Sequence, residues 1–134
     1  MSPVKFEVVT PERKILEEEA ESVIVPGTEG YLGVLPRHTP LLTTLKPGVV
    51  SYRKVGRETE RLAVSGGFME AGPDKVIILA DTAELASEID IERARRSRRR
   101  AEERLRERPP GLDVARAEAA LARSLARLKA AGSD

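Results

Sequence analysis

Hydrophobic residues follow two rhythms along this chain. Through residue 84 they fall in short runs cut by glycine and proline. Residues 6–10 read as a strand stopped by Pro11, and 22–25 as a β-branched strand stopped by Pro26 and Gly27. Runs at 31–35 and 41–45 are bounded by Gly30, Pro36, Pro40, Pro47 and Gly48. Residues 49–55 and 58–65 flank Gly56, and 68–71 and 75–81 flank Gly72, Pro73 and Asp74; both are hairpin signals. In the 58–65 run, Leu62 and Val64 share one face while Arg61 and Ala63 take the other. Closely spaced strands with no helix between them predict a sandwich or barrel.

Further along, the period becomes helical. Asp90 is placed to cap a helix over 91–108, which Pro109, Pro110 and Gly111 stop. Asp113 caps a second helix through about residue 131, ended by Gly132. Ile91, Ala94, Ala101 and Leu105 form the first apolar stripe, with Arg98 interrupting it; Val114, Ala117, Leu121, Leu125 and Leu128 form the second. Two such helices on a short connection pack antiparallel. The expected fold is therefore α+β: an N-terminal antiparallel β-sandwich over residues 1–84, then a C-terminal antiparallel α-helical hairpin over 85–134. Stripes this thin bury little area, so the hairpin alone is marginal and reads as a mobile element able to dock in more than one place.

Composition sharpens this picture. The 134 residues suit one ordinary domain, or a small one with an appendage. Only 3% are aromatic, so Val, Ile and Leu must fill the core. With no cysteine, disulfides, thiol catalysis and cysteine-ligated metals are excluded. A single histidine, His38, gives no basis for a histidine metal site, so no metal is expected. No apolar run is long enough to span a membrane, and Glu7 and Glu12 interrupt any signal-peptide core. A soluble protein of a reducing compartment is the expectation.

The formal net charge of +1 hides an asymmetry. Residues 1–84 carry ten Lys/Arg against thirteen Asp/Glu; residues 85–134 carry thirteen against nine. Six arginines lie between Arg93 and Arg100. Three readings of that run compete. It is a solvated helix face, with Arg98–Glu102 and Arg99–Glu103 as i,i+4 pairs. Or it belongs to a free-standing nucleic-acid-binding module, although no aromatics interleave for stacking. Or it binds a phosphorylated ligand or an acidic protein surface. Helix geometry refines the third reading. Arg93 and Arg100 stand about 20° apart around the axis. Arg123 and Arg127 are i,i+4 neighbours that antiparallel pairing brings opposite them. Four arginines around an Ala94-lined site repel unless an anion joins them, and guanidinium binds phosphate bidentately. Asp90 and Glu84 would supply acceptors for an amino or hydroxyl group. No catalytic constellation is visible. Gly27, Gly30 and Gly33 fit no dinucleotide fingerprint and read as turn positions. His38, in a proline-bounded loop, reads as a surface or interface residue.

Several stretches taken together resemble the epsilon subunit of bacterial F-type ATP synthase. They are Val8–Pro11, Gly30–Leu41, Ala63–Phe68, Ile77–Asp81, Ile89–Ala94 and Arg116–Leu121, in order along essentially the whole chain. The resemblance implies a non-catalytic central-stalk subunit at the cytoplasmic face of the bacterial membrane, attached only through the complex. Its partners would be the gamma subunit, the ring of c subunits and the catalytic alpha/beta head, with no nucleic acid. The family's ring-facing loop maps onto residues 29–38. Glu29 and His38 match there, while Tyr31 stands where an acidic residue is common and Arg37 where glycine is common. The family's hairpin folds onto the sandwich or extends into the head, where it blocks ATP hydrolysis. In several members the folded form binds ATP without hydrolysing it. That family motif is intact from Ile89 to Ala94. The resemblance thus implies ATP as a regulatory ligand of Glu84, Asp90, Arg93, Ala94, Arg100, Arg123 and Arg127. Arg100, Arg123 and Arg127 would hold phosphates; Glu84, Asp90 and Arg93 would fix the nucleoside; Ala94 would leave room for the base. Glu29, Tyr31 and His38 become the expected ring contacts, and Arg95, Arg96, Arg98 and Arg99 the expected inhibitory contact with the beta subunits.

Overall fold

A computed structural model describes residues 3–133. Nine strands precede the helices: β1 (Val4–Val9), β2 (Lys14–Gly27), β3 (Gly30–Val34), β4 (Leu41–Leu45), β5 (Gly48–Lys54), β6 (Thr59–Val64), β7 (Gly67–Ala71), β8 (Lys75–Ala80) and β9 (Ala83–Leu85). A short 3-10 turn (Ala86–Glu88) leads into α1 (Ile91–Glu107) and α2 (Val114–Ala130). Both predicted caps form: Asp90 Oδ1 accepts from the Arg93 amide at 3.1 Å, and Asp113 Oδ1 from the Arg116 amide at 3.0 Å. Just past α1, Arg108 turns left-handed (φ 46°), one residue before the proline pair.

The fourteen-residue β2 organises the sandwich. Its first half pairs with β1, its second half with β3 and β5, and a register shift between Ala20 and Ser22 lies where the roles change. One layer runs β4-β7-β8-β1 to the start of β2; the other runs β3-β2-β5-β6-β9. Alternating residues close the core between them: Val4, Phe6 and Val8 of β1, Val23 and Val25 of β2, Val50 and Tyr52 of β5, Leu62 and Val64 of β6, Met69 of β7 and Val76 and Ile78 of β8. Valine dominates, as expected, but two of the four aromatics also enter, with Phe6 and Tyr52 rings 5.0 Å apart at a tilt of 48°.

Four expectations need correction. The sandwich is not wholly antiparallel, because β1 pairs with β8 in parallel. β2 begins eight residues before the predicted run at 22–25. Glutamate has low strand propensity, yet Glu17, Glu18 and Glu21 lie in β2 because lysines and an arginine of neighbouring strands pair with them: Lys5 with Glu17, Lys54 with Glu18 at 3.3 Å and Arg53 with Glu21. β9 straddles the expected domain boundary at residue 84, past the last expected strand, and is recruited to β6 by backbone pairing. Finally, Leu125 of the predicted stripe is exposed, and α2 buries Ser124, Ala126 and Ala130. The stripe spacing assumed one partner face, whereas α2 has two.

The outer face of the β1-β2-β8 region carries the strongest ionic feature. Glu7 is almost fully buried under Lys14 Nζ, 2.7 Å away, and Lys75 Nζ, 2.9 Å away. Hydrogen bonding to Lys14, then to Lys75, holds its carboxyl at about 2 instead of the ordinary 4.5. The Lys14 ammonium is raised in turn, first by its hydrogen bond to Glu17 and then by the one to Glu7. A carboxylate lowered on folding stabilises the native state above its unfolded pKa and loses that contribution as acid takes pH down toward its folded pKa. Glu7→Gln should therefore flatten the loss of stability between pH 4.5 and about 2. Urea unfolding of both proteins at several acidic pH values checks this; parallel curves would contradict it.

Candidate functional site: an arginine cleft in the docked hairpin

The hairpin lies on the sandwich through α2. Strand alternation turns Val50 and Tyr52 inward and leaves Val49 on the outer face of β5; likewise Leu62 and Val64 turn inward and leave Ala63 outside on β6. Val49 and Ala63 are nevertheless buried, because Ala126 and Ala130 of α2 cover them, with Ile89 completing the cluster. The expectation that Ala63 takes the face opposite Leu62 holds, but that face is a second interface. The other side of α2 meets α1: Ala117, Leu121, Ser124 and Leu128 follow one helical stripe, and Ala94 and Ala101 are buried on α1. Small residues on both sides let the backbones approach closely.

One ion pair also joins the two parts. Arg127 Nε donates to Glu84 Oε1 at 2.7 Å, linking α2 to β9. Both side chains remain more than a third exposed, so screening limits the pair to at most about 1 kcal/mol.

Between α1 and α2 opens a cleft of about 480 Å³. Arg100, Arg104, Arg116, Arg123 and Arg127 line it, with Ser97, Ala101, Ala117 and Ala120 between them. A narrow niche joins it through Arg123 and Arg127, and Glu84, Ser65 and Thr82 line that niche. The electrostatics are one-sided. Among the described residues, Arg127 alone of the five has an ion-pair partner. Asp113, the one carboxylate of the cleft wall, is occupied as the cap of α2. Arg116 sits in the first turn of α2, where the helix dipole is already positive and disfavours a cation. Such a cluster is held only by the fold, and an anion with several oxygens would relieve its repulsion. The wall holds no histidine and no unengaged carboxylate to act as a base.

The structure brings together part of the expected set. Arg100, Arg123 and Arg127 share the cleft, and Glu84 adjoins it. Arg93 does not join them: it is exposed, on the stripe of Ser97, Arg100 and Arg104 but one turn past the cleft's end. Asp90 spends its carboxylate on capping α1, and Ala94 is buried, so neither lines the cleft. Arg104 and Arg116 are lining residues that the sequence reading missed. Their signal was available, since Arg104 stands one turn beyond Arg100 and Arg116 two turns before Arg123.

The Arg95–Arg99 face is separate. Arg95, Arg98 and Arg99 border a shallow cleft with Glu102 and Leu128. Arg95 pairs with Glu92 at 2.9 Å, and Arg98 with Glu102 at 3.4 Å. Arg96 is exposed. None of the four aromatics lies on the helices, so base stacking has no platform there. On the sandwich, Glu29 and Tyr31 border a groove beside Leu42, Thr43 and Thr44. His38 Nδ1 lies 2.6 Å from the Thr39 carbonyl, and the side chain is half-buried. Arg37 has φ 66°, the left-handed region that favours glycine, which accounts physically for the glycine common at this position in the family it resembles.

Comparison with known proteins decides the family. The beta-sandwich domain model of the ATP synthase delta/epsilon chain matches residues 3–86, and its long alpha-helix domain model matches residues 87–132. The chain belongs to the ATP synthase delta/epsilon family. It is 67% identical to the ATP synthase epsilon chain of Moorella thermoacetica, over 99% of both chains. It is 51% identical to that of Herpetosiphon aurantiacus, over 96% of this chain and 94% of the other. A chain in the Euglena gracilis mitochondrial ATP synthase structure shares the fold, with a TM-score of 0.84 at 23% identity, covering 98% of this chain and 82% of that one. As an epsilon-type chain it is a non-catalytic subunit of F-type ATP synthase.

Proposed function

We propose that this chain is the central-stalk subunit that couples proton-driven rotation of a c-ring and gamma to the catalytic head, and that its hairpin senses ATP. The observation that carries the sensor is the uncompensated arginine cleft. Arg100, Arg123 and Arg127 hold the phosphates there, with Arg104 and Arg116 enlarging the positive field. Glu84 accepts from the nucleoside. Asp90, Arg93 and Ala94 lie beyond the cleft's end and complete the nucleoside site only when a ligand reaches past Ser97. ATP is bound without hydrolysis: the one carboxylate of the cleft wall, Asp113, is already engaged as the cap of α2. By bridging arginines that otherwise repel, ATP favours the docked hairpin, and it shifts the population only by its differential affinity for that state.

The undocked hairpin is the inhibitory form. In the docked form Arg95 and Arg98 are engaged by Glu92 and Glu102, while Arg96 and Arg99 stay available to acidic segments of the beta subunits. The ring contact belongs to Glu29, Tyr31 and His38. Gamma fits the outer face of β7 and β8, where Phe68 and Leu79, cross-strand neighbours, are each 50% exposed. Solvent does not favour two large apolar side chains exposed side by side on an isolated domain. In this reading the subunit sits peripherally at the cytoplasmic face of the membrane, held by its partners; no helix among the described residues is long and apolar enough to cross it.

Calorimetric titration of ATP into the isolated protein should show saturable binding, weakened at least tenfold by Arg123→Ala. Equal affinity in the variant would contradict the phosphate assignment. Phe68→Asp should weaken co-purification with gamma while leaving ATP affinity unchanged. Full retention of gamma would move the interface elsewhere.

A further inference from the structure

Tyr31 lies in the loop-proximal part of β3, yet its side chain does not simply face out. The ladder between β2 and β5 ends at the pair Ile24 and Ser51, so the Val49 amide on that edge finds no β2 partner. It donates instead to the Tyr31 hydroxyl at 3.1 Å. The corner is shaped for this contact. A Cβ at residue 48 would lie 2.6 Å from Pro26 Cβ and 3.0 Å from Tyr31 Oη, so only Gly48 lets the phenol reach the strand. Val49 is also part of the apolar seat under α2. Above the same ring stands Lys129 Nζ, 5.6 Å from its centroid, in the last turn of α2. The ammonium sits where a cation is attracted both by the ring face and by the negative end of the helix dipole.

We propose that Tyr31 is a latch: its ring and hydroxyl clamp the C-terminal turn of α2, through Lys129, to the start of β5. A side chain without the phenol would neither accept from the Val49 amide at this distance nor offer Lys129 a ring face. The latch places the docked hairpin and the segment 29–38 on one side chain. A partner that takes the exposed half of this ring competes with Lys129, and departure of α2 frees the ring for that partner, since coupling between two sites is reciprocal. This consequence rests on reading 29–38 as partner-facing; the latch itself does not.

Amide hydrogen exchange on the full chain without nucleotide or partner tests it. Lys129→Gln should speed exchange across residues 123–130 about two- to fivefold, the factor an exposed cation–π contact supplies. Tyr31→Ala should do at least as much, and the double variant no more than Tyr31→Ala alone. Tyr31→Phe should expose the Val49 amide while leaving α2 near its native rate. Unchanged amides of Val23 and Ile78 would confirm that the sandwich is folded; if Tyr31→Ala unfolds it, Lys129→Gln and Tyr31→Phe decide. Unchanged exchange of α2 in Lys129→Gln, or effects that multiply in the double variant, would overturn the latch. Since no nucleotide is present, failure of the ATP reading would leave these results unmoved.

Discussion

The seat of α2 on the sandwich is a cluster of five buried residues to which the helix contributes only alanines, and that limits how tightly the hairpin can be held. Ala126 and Ala130 rest on Ala63 and Val49. A buried methylene contributes about 0.8 kcal/mol, so an alanine contact adds little beyond shape. The Arg127–Glu84 pair is more than a third exposed and adds little more. Against these stand the thin stripes joining α1 to α2 and the cost of fixing two 17-residue helices. The sandwich is built differently. Its core interlocks Phe6, Leu62, Met69, Ile78 and a set of fully buried valines across two layers. One chain therefore joins a firm domain to a weakly held one, as reversible docking requires.

The arginine cleft exploits the same weakness. Repulsion among Arg100, Arg104, Arg116 and Arg123 works against closing the hairpin, and among the described residues Arg127 alone of the cleft arginines pairs with a carboxylate. A polyphosphate would reverse that sign. If the balance without ligand is small, as the proposed sensor requires, a ligand of modest differential affinity suffices to move it. Had α2 been seated on leucine and phenylalanine, the same cleft would bind a nucleotide without consequence for the hairpin.

Much of this was legible in the chain. Glycine and proline mark most strand ends, and Asp90 and Asp113 mark both helix starts within a residue. What escaped depended on tertiary pairing. The first half of β2 reads as a charged segment until Lys5 and Lys54 are placed beside Glu17 and Glu18. β9 is too short to carry a pattern of its own. The second face of α2 was hidden because alanine gives no hydrophobic period, so Ala126 and Ala130 look like filler and Leu125 looks buried. In the site, Arg100, Arg123 and Arg127 follow from helical spacing. The place of Arg93 does not, because where the cleft ends depends on the helix crossing and not on either helix alone.

Reversible docking is the central claim, and a distance distribution tests it most directly. The chain has no cysteine, so spin labels at Arg57→Cys in the β5–β6 turn and Glu118→Cys on the exposed face of α2 would be unique. Double electron–electron resonance should show two populations without ligand, with ATP enriching the one that matches the docked structure. A single distribution unmoved by saturating ATP would contradict the account.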